Sequence, residues 1–369
     1  MRVAIVHDYL TQRGGAERVV LALHRMFPDA PIFTSLFDPE DTFDGFGDAD
    51  VRTSGLQRLP HRGDLFRAYL PLYARAFERM KIHGYDLVIS SSSGWAHAVD
   101  TDATHLVYCH APAKWLYRTT EYAAGASGWK MAAVAPMLRR LRAWDARAAG
   151  RPDRYIANSS VIARQILAVY GRAATVVHPP VEVDRFTVAD DLPSADAPYV
   201  VVARLLPYKR VDLAVRACTD AGLPLVVVGD GPTMPELVRI AGPTVRFAGR
   251  MEDAQLEQTL ASCRALIQPG AEDFGIVPIE ANAAGRPVIA FAGGGARDTV
   301  AHGRTGVLFA EQTVESLRDA MRRLATLRWS PQTVRAHAER FSTRIFMQRL
   351  HAIIDQTMAR PRTAEVAAR

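Results

Sequence analysis

The second half of the chain alternates short apolar runs with longer segments of helical periodicity. These runs fall at residues 199–202, 225–228, 244–247, 265–267, 287–291 and 307–309, and only 244–247 (Thr-Val-Arg-Phe) contains a charged residue. Parallel strands need crossover connections, and the helices in those connections bury both faces of the sheet, so each strand becomes a continuous apolar run. The alternation therefore predicts an α/β fold with a doubly wound parallel sheet. The first half shows the same pattern less clearly.

The length of 369 residues suits two domains of about 150–200 residues, each able to bury a core. An irregular stretch at 187–198, rich in Asp, Pro, Ala and Ser, is typical of a linker. We therefore expect an N-terminal domain at 1–186, a C-terminal domain at 187–341, and a final helix with a frayed tail at 342–369.

Composition and charge narrow the class of protein. Apolar residues make up 49% and charged residues 23%, which is ordinary for a globular protein, and no apolar run approaches the ~18–20 residues of a membrane helix. Residues 1–6 read as a first strand and not as a secretion signal, so we expect a cytoplasmic protein. Cys109, Cys218 and Cys263 lie far apart in apolar contexts, which favours buried free thiols.

The net charge of +6 suggests anionic partners, such as nucleotide phosphates or anionic lipids. Nucleic acid is the weakest of these expectations, because no nucleic-acid-binding motif accompanies the charge. Two basic segments that also contain aromatic residues, at 65–81 and 137–154, suggest peripheral attachment to an anionic membrane surface. The alternative is that their aromatic side chains face the core and their arginines face water.

The stretch from 271 to 280 is predicted to be a loop that turns into a helix. Pro278 suits the first turn of a helix, and an acidic residue such as Glu280 suits the positive helix end. The amides of Gly275 and the two residues after it would then point at an anion such as a phosphate. Glu272 falls on the preceding loop, so the two carboxylates would read hydroxyl groups on either side. The alternative is a helix-dipole residue and a solvated loop acid.

Other polar residues follow predicted strands, where parallel sheets bind ligands. Gly14 and Gly15 form a turn between the first strand and a helix, which suits a phosphate but also suits tight packing alone. His110 follows the apolar run 106–109, and a histidine in such a place is either structural or catalytic. Arg204 and Lys209 follow the first strand of the second half, so two cations stand at the carboxyl end of a strand, where they can bind an anion.

Glu272 and Glu280 match the Glu-x7-Glu signature of the retaining glycosyltransferases of family 4, and the resemblance extends along most of the chain. It implies the GT-B architecture, in which two doubly wound Rossmann-like domains face a central cleft. It also implies that the last helix returns to the first domain.

The resemblance further assigns roles to individual residues. It gives the active-site positions to His110 and Glu272, which would position groups and stabilise charge without covalent attack. The donor-binding residues that we predict are Gly14, Gly15, Arg204, Lys209, Gly229, Arg250, Met251, Phe274, Gly275, Ile276, Val277 and Glu280. No metal ligand and no cofactor is predicted, because the Asp-x-Asp pairs at 48/50 and 100/102 lack matching partners and read as solvated turns.

The function implied is transfer of a hexose, with retention at the anomeric carbon, from a nucleotide-sugar donor to a saccharide or lipid-linked acceptor in cell-surface polysaccharide biosynthesis. The run 178–181 (His-Pro-Pro-Val) adds to an overall resemblance that favours members using GDP-mannose. Two alternatives remain: a nucleotide-sugar 2-epimerase of the same architecture, and a nucleotide-sugar-binding protein without catalysis. An acceptor requirement separates the first alternative from a transferase.

Overall fold

The computed structural model describes residues 1–59, 70–117, 128–188, 193–194 and 196–359, without the side chains of 70–71 and 128–133. It divides into two compact units. The first comprises Met1–Pro180 together with the chain from Phe346 onward, and the second comprises Val181–Ile345. The predicted boundary after residue 186 falls a few residues beyond this division, because Val181, Val183 and Phe186 pack in a hydrophobic cluster of the second unit.

The first unit contains nine strands and five helices before the chain leaves it, counted over its described residues. The strands are β1 (Val3–His7), β2 (Ile32–Thr34), β3 (Val51–Thr53), β4 (Lys81–Ile82), β5 (Leu87–Ser92), β6 (Asp100–Thr101), β7 (Thr104–Cys109), β8 (Arg154–Ala157) and β9 (Ala174–Val176). The helices are α1 (Gly15–Met26), α2 (Leu70–Glu78), α3 (Lys114–Tyr117), α4 (Gly128–Ala148) and α5 (Ser160–Tyr170).

The second unit alternates strand and helix as predicted. Its strands are β10 (Tyr199–Val202), β11 (Leu225–Val228), β12 (Val245–Gly249), β13 (Ala265–Gln268), β14 (Val288–Phe291) and β15 (Gly306–Phe309). Its helices are α6 (Val211–Ala221), α7 (Met234–Ile240), α8 (Asp253–Ser262), α9 (Ile276–Ala283), α10 (Ala296–Thr299), α11 (Val314–Thr326) and α12 (Pro331–Ala338).

Each unit is built on one large parallel sheet whose strand order reverses once, and β4 and β6 of the first unit pair separately as a two-stranded sheet. The order is β3-β2-β1-β5-β7-β8-β9 in the first unit and β12-β11-β10-β13-β14-β15 in the second. The chain therefore winds outward in one direction and then in the other, and the reversal lies between β1 and β5 and between β10 and β13. Ligands of doubly wound sheets bind at such reversals, beyond the carboxyl ends of the strands. The predicted α/β, doubly wound fold is confirmed.

The last helix, α13 (Thr343–Met358), begins in the second unit and ends in the first. Phe346, Leu350, Ile353 and Ile354 are buried in the same cluster as strands β1 and β5. The ring of Phe346 meets that of Tyr108 edge to face at a centroid distance of 5.7 Å. The first unit thus completes its core with the far end of the chain.

The three cysteines are buried free thiols, as predicted. Burial raises the pKa of Cys218 and of Cys263 to about 12. Within the described ranges, no helix is both long enough and apolar enough to pass through a lipid bilayer.

Candidate functional site

The loops that follow β10 and β13 meet at the strand reversal of the second unit. These strands are paired only at Tyr199 with Ala265 and Val200 with Leu266, so they separate before their carboxyl ends. The loop after β10 carries Arg204 and Lys209, and the loop after β13 carries Glu272. The Lys209 ammonium donates a hydrogen bond to Oε1 of Glu272 and forms an ion pair with it. The structure thus brings together two residues that were predicted separately.

Lys209 and Glu272 keep little contact with solvent, whereas Arg204 is exposed. The side chain of Lys209 is 13% exposed and that of Glu272 is 26% exposed. A partly buried ion pair is screened less than a surface pair, so each partner holds the other in place. Arg204 follows β10 at the same carboxyl edge and is an exposed residue.

Helix α9 begins directly after the Glu272 loop. Gly275 is the residue before its first turn and has φ +90°, a left-handed conformation that favours glycine. Pro278 lies in the first turn, as expected, and the amides of Ile276 and Val277 lie at the helix N-terminus. Phe274 is 3% exposed and packs in the core beneath the loop.

Glu280 requires a correction. The sequence placed it at the positive helix end, but α9 begins at Ile276, so Glu280 lies in the second turn, and no acidic residue occupies the first turn. Its side chain is 3% exposed. The helix starts early because Gly275 supplies the left-handed residue that lets the loop turn into it.

Glycines bring the loops of this edge into backbone contact. An added Cβ at Gly294 would lie 2.0 Å from the carbonyl oxygen of Glu272, and one at Gly295 would lie 2.5 Å from Cα of Phe274. The Gly295 amide donates to the Glu272 carbonyl oxygen at 2.8 Å. The loop at 293–295 therefore fixes the backbone that carries Glu272.

The remaining predicted donor residues of this unit lie farther along the sheet. A Cβ at Gly229, after β11, would lie 1.9 Å from the carbonyl oxygen of Ala203, so this glycine permits a close approach of two loops. Arg250 and Met251 line a cavity of about 350 Å³ between β12 and α8, together with Arg246 and Gln255 among others. Because β12 is the edge strand, this cavity is separated from the strand reversal by β10 and β11.

The first unit has a buried polar cluster at its own strand reversal. Nδ1 of His7, at the end of β1, lies 3.0 Å from the carbonyl oxygen and 3.1 Å from Oγ of Ser91, at the end of β5. Oγ of Ser91 lies 2.8 Å from Nε2 of His110, which follows β7. On its other side, Nε2 of His7 lies 3.6 Å from Oε1 of Glu17 in α1. Residues at the carboxyl ends of three strands and one residue of a helix thus form a continuous chain of polar contacts.

The two histidines of this cluster have opposite pKa shifts. Burial lowers the pKa of His7, but the adjacent Glu17 carboxylate, 3.6 Å away, and the negative charge of Asp8 outweigh burial, so that pKa is raised. For His110, burial and the nearby charge of His7 act in the same direction and lower the pKa to about 3. The arrangement therefore favours a positive charge on His7 and disfavours one on His110.

Asp8 organises the loop after β5. Its Oδ1 accepts hydrogen bonds from the amides of Trp95 at 3.0 Å and Ala96 at 2.7 Å, and its Oδ2 accepts from the amide of Ser93. Burial raises the pKa of this carboxyl, although these amides oppose the shift. Asp8 is 2% exposed, so it acts on the loop from within.

Gly14 and Gly15 lie at the start of α1, where the sequence predicted a phosphate turn. A Cβ at Gly14 would lie 2.6 Å from Oε2 of Glu17, so this glycine makes room for the buried carboxylate. The Oε1 atom of Glu17 also accepts a hydrogen bond from Gln12 at 3.0 Å. Gly15 is exposed at the helix start.

The sequence analysis did not single out His7, Asp8, Glu17 or Ser91. His7 and Asp8 end an apolar strand, and the serines at 90–93 end another, so polar residues at two neighbouring strand ends were the available signal. The pairing of β1 with β5 brings His7 beside Ser91, 84 residues away in sequence, and the sequence alone did not show this contact.

A groove of about 440 Å³ runs between α2 and α4 in the first unit; we call it the α2–α4 groove. Its lining residues are Ala74, Arg75, Glu78, Arg79, Arg140, Leu141 and Trp144. Tyr73 and Phe77 of α2 are buried in the core, as the alternative interpretation of this segment expected. The part of that segment at 65–69 lies outside the described residues. Within the described ranges, no group of His, Cys, Asp or Glu side chains is placed to hold a metal ion.

Two family models match the chain and between them cover most of it. Residues 13–185 match "Glycosyltransferase Family 4", and residues 188–341 match "Glycosyl transferases group 1". The chain belongs to the glycosyltransferases of the family 4 type.

Relatives are found among D-inositol 3-phosphate glycosyltransferases. The enzyme of Actinosynnema mirum is 35% identical over 204 residues, which are 47% of this chain and 49% of that protein. The second such enzyme of Catenulispora acidiphila is 31% identical over 228 residues, which are 51% and 52% of the two chains. The chain thus matches about half the length of these relatives.

Solved structures show the same fold over almost the whole chain. Sucrose-phosphate synthase from Thermosynechococcus elongatus has a TM-score of 0.73 at 21% identity and covers 97% of this chain and all of its own. Anabaena HepE, solved in complex with UDP, has a TM-score of 0.70 at 19% identity and covers 96% and 100%. These likenesses and the two parallel sheets establish the GT-B fold.

Proposed function

We propose that this protein transfers a hexosyl group, with retention, from a nucleotide sugar to a phosphorylated or lipid-linked acceptor, as a step in making a cell-surface polysaccharide or glycolipid. The observation that carries the proposal is the strand reversal of the second unit. There the Lys209–Glu272 ion pair, the exposed Arg204 and the N-terminus of α9 occupy adjoining loops. This edge combines cations and free amides for an anion with a carboxylate for sugar hydroxyls.

The chemistry of the transfer explains why these groups are needed. Breaking a sugar–phosphate bond leaves a nucleoside diphosphate whose negative charge grows in the transition state. Arg204, Lys209 and the amides of Ile276 and Val277 would stabilise that charge, and the amides would do so without reorganisation because the loop packing already fixes them. Glu272 would hold the donor hexose, and Glu280 the ribose hydroxyls. In this proposal no metal ion is required.

The donor is proposed to be GDP-mannose, on the sequence resemblance. The UDP present in the HepE structure makes a UDP-hexose the competing donor. The base therefore has to be determined by direct comparison of the two nucleotides.

The first unit is proposed to serve the acceptor. Three guanidinium groups of the α2–α4 groove suit a phosphate, and Leu141 and Trp144 offer an apolar floor to a lipid chain. Leu72, Val134 and Met137 on the same two helices are 45%, 37% and 37% exposed. The names of the relatives in Actinosynnema mirum and Catenulispora acidiphila point instead to a phosphorylated cyclitol, and the shared feature is a phosphate near the accepting hydroxyl.

A thermal-shift comparison of UDP, GDP, UDP-glucose and GDP-mannose without divalent metal tests the donor site. A ligand at a hundred times its dissociation constant stabilises the fold by ~2.7 kcal/mol, so one nucleoside diphosphate should raise the melting temperature clearly. Arg204→Ala should abolish that shift because it removes a cation at the strand reversal. Arg216→Ala, an exposed arginine on α6, is the matched control and should leave the shift intact.

Turnover then separates the proposed activity from its alternatives. A transferase consumes the stabilising nucleotide sugar only when an acceptor is present, whereas a 2-epimerase converts it alone and a binding protein leaves it unchanged. If none of the nucleotides shifts the melting temperature, the donor assignment is wrong.

A further inference from the structure

The buried chain that joins Glu17, His7, Ser91 and His110 has a fixed direction of hydrogen-bond donation. A carbonyl oxygen can only accept, so the contact between Nδ1 of His7 and the Ser91 carbonyl oxygen, at 3.0 Å, requires a proton on Nδ1. That nitrogen therefore cannot accept from the Ser91 hydroxyl, which lies 3.1 Å away. The Ser91 proton must point elsewhere.

The other partner of the Ser91 hydroxyl is His110. Oγ of Ser91 lies 2.8 Å from Nε2 of His110, so the hydroxyl donates and Nε2 accepts. A ring nitrogen that accepts carries no proton, and a neutral imidazole then has its proton on Nδ1. The protonation of His110 follows from the chemistry of a backbone carbonyl two contacts away.

Glu17 stands at the other end of this series of buried polar contacts. Its carboxylate lies 3.6 Å from Nε2 of His7, and its Oε2 atom is buried without a hydrogen-bond partner in the part of the chain that the structure describes. A buried carboxylate with so little compensation favours a positive charge beside it. The raised pKa of His7 and the lowered pKa of His110 agree with this order of charges.

We infer that Glu17, His7 and Ser91 are positioning residues that hold His110 as the neutral Nδ1–H tautomer, so that His110 acts on substrate as a hydrogen-bond donor and not as a base. The role on substrate rests on the proposed function, whereas the tautomer does not. A donor at Nδ1 suits an oxygen that gains negative charge or a sugar hydroxyl oxygen that must be oriented. General-base catalysis would require an unprotonated nitrogen facing the substrate.

The neighbouring strand positions offer a matched control. Oγ of Ser90 lies 2.8 Å from Nε2 of His105, the same type of contact at the same distance and equally buried. Successive side chains of a strand point to opposite faces of the sheet, so the pair of Ser90 and His105 lies on the other face from the chain of Ser91 and His110. Ser90→Ala and Ser91→Ala thus make the same chemical change on opposite faces.

The test is a long-range ¹H–¹⁵N spectrum of the ligand-free protein with ¹⁵N-labelled histidine at pH 7. We expect His110 as the Nδ1–H tautomer and His7 with protons on both nitrogens. Ser91→Ala should change the His110 signals and leave those of His105 in place, and Ser90→Ala should do the reverse. A proton on Nε2 of His110 in the wild-type spectrum would overturn the inference, whatever the activity of the protein.

Steady-state kinetics supply the second readout, with the nucleotide sugar and acceptor that the thermal-shift and turnover experiments identify. Ser91→Ala should lower kcat roughly tenfold, the size of one lost hydrogen bond, and leave the KM for the nucleotide sugar nearly unchanged. Ser90→Ala should change neither constant. Equal losses in both variants would mean that the Ser91 contact is only structural. If no turnover is found at all, the proposed function fails while the spectrum still decides the tautomer.

Discussion

At the scale of single residues, glycines decide where Glu272 lies. Gly294 has φ +61° and leaves no room for a Cβ against the Glu272 carbonyl oxygen. Gly303 has a similar φ of +78° but open space where its Cβ would be. The two positions therefore carry the same conformational demand and differ in the contact.

We expect Gly294→Ala to destabilise the second unit by about 3 kcal/mol or more, because left-handed strain adds to a backbone clash. Gly303→Ala should cost only the strain of about 1–2 kcal/mol. Denaturant unfolding measures both values. The clash also displaces Glu272, so Gly294→Ala should reduce the nucleotide-induced thermal shift, while Gly303→Ala should retain it. Similar costs for the two variants would show that the contact is relieved by small movements.

The residue scale also marks the limit of the sequence analysis. Lys209 was found because it follows an apolar strand, and Glu272 because it precedes a predicted helix N-terminus and belongs to the Glu-x7-Glu pattern. Nothing in the sequence showed that their side chains form an ion pair. His7 and Ser91 escaped notice because their contact depends on the register of β1 against β5, which a strand's own residues do not specify. Glu280 was predicted nearer the helix end than it lies, because α9 begins two residues earlier than expected, at Ile276 after the left-handed Gly275.

At the scale of elements, strands and helices were predictable where apolar runs were regular. Five of the six strands of the second sheet coincide with wholly apolar runs, since strands buried on both faces must be apolar throughout. The edge strand β12 instead contains the exposed Arg246 and has no fully buried residue. The first unit was less clear because β2, β3 and β9 have only three residues each. The last helix was predicted from its periodicity, but the unit whose core it completes followed only from the resemblance.

Helix α13 therefore offers an element-scale prediction. Phe346→Ala should destabilise the first unit by about 3–4 kcal/mol, because it removes a fully buried ring that packs on Tyr108. Tryptophan fluorescence follows this unfolding, since four of the five tryptophans, at 95, 115, 129 and 144, belong to that unit.

Met358→Ala on the same helix is the control and should change stability by less than about 0.5 kcal/mol, because this side chain is 37% exposed. Equal stability of the Phe346 variant and the wild type would mean that α13 contributes nothing to the core of the first unit.

At the scale of the whole molecule, the positive charge is unevenly distributed. The chain carries 45 Lys and Arg against 39 Asp and Glu, and three of the arginines gather around one groove between exposed apolar side chains. An anionic lipid surface attracts such a patch within about a Debye length, ~10 Å at 0.1 M salt.

We expect the wild-type protein to sediment with vesicles that contain phosphatidylserine at low salt, and the double variant Arg75→Glu/Arg140→Glu to remain unbound. Each basic residue near the surface contributes about 1 kcal/mol, so two charge reversals remove most of the attraction. Arg216→Glu/Arg239→Glu, which changes the net charge equally on exposed positions of the second unit, should bind like the wild type. If both double variants lost binding to the same extent, the attraction would depend on net charge and not on the α2–α4 groove.

Helix α13 also has a consequence for the order of events during synthesis. Domains generally fold as they emerge from the ribosome, the N-terminal one first. Here the first sheet is made early, but Phe346, Leu350, Ile353 and Ile354 of its core are translated only after the entire second unit. We therefore expect part of the apolar surface of the first unit to stay uncovered until its last helix is translated, so that this unit completes its core after the second unit has been synthesised.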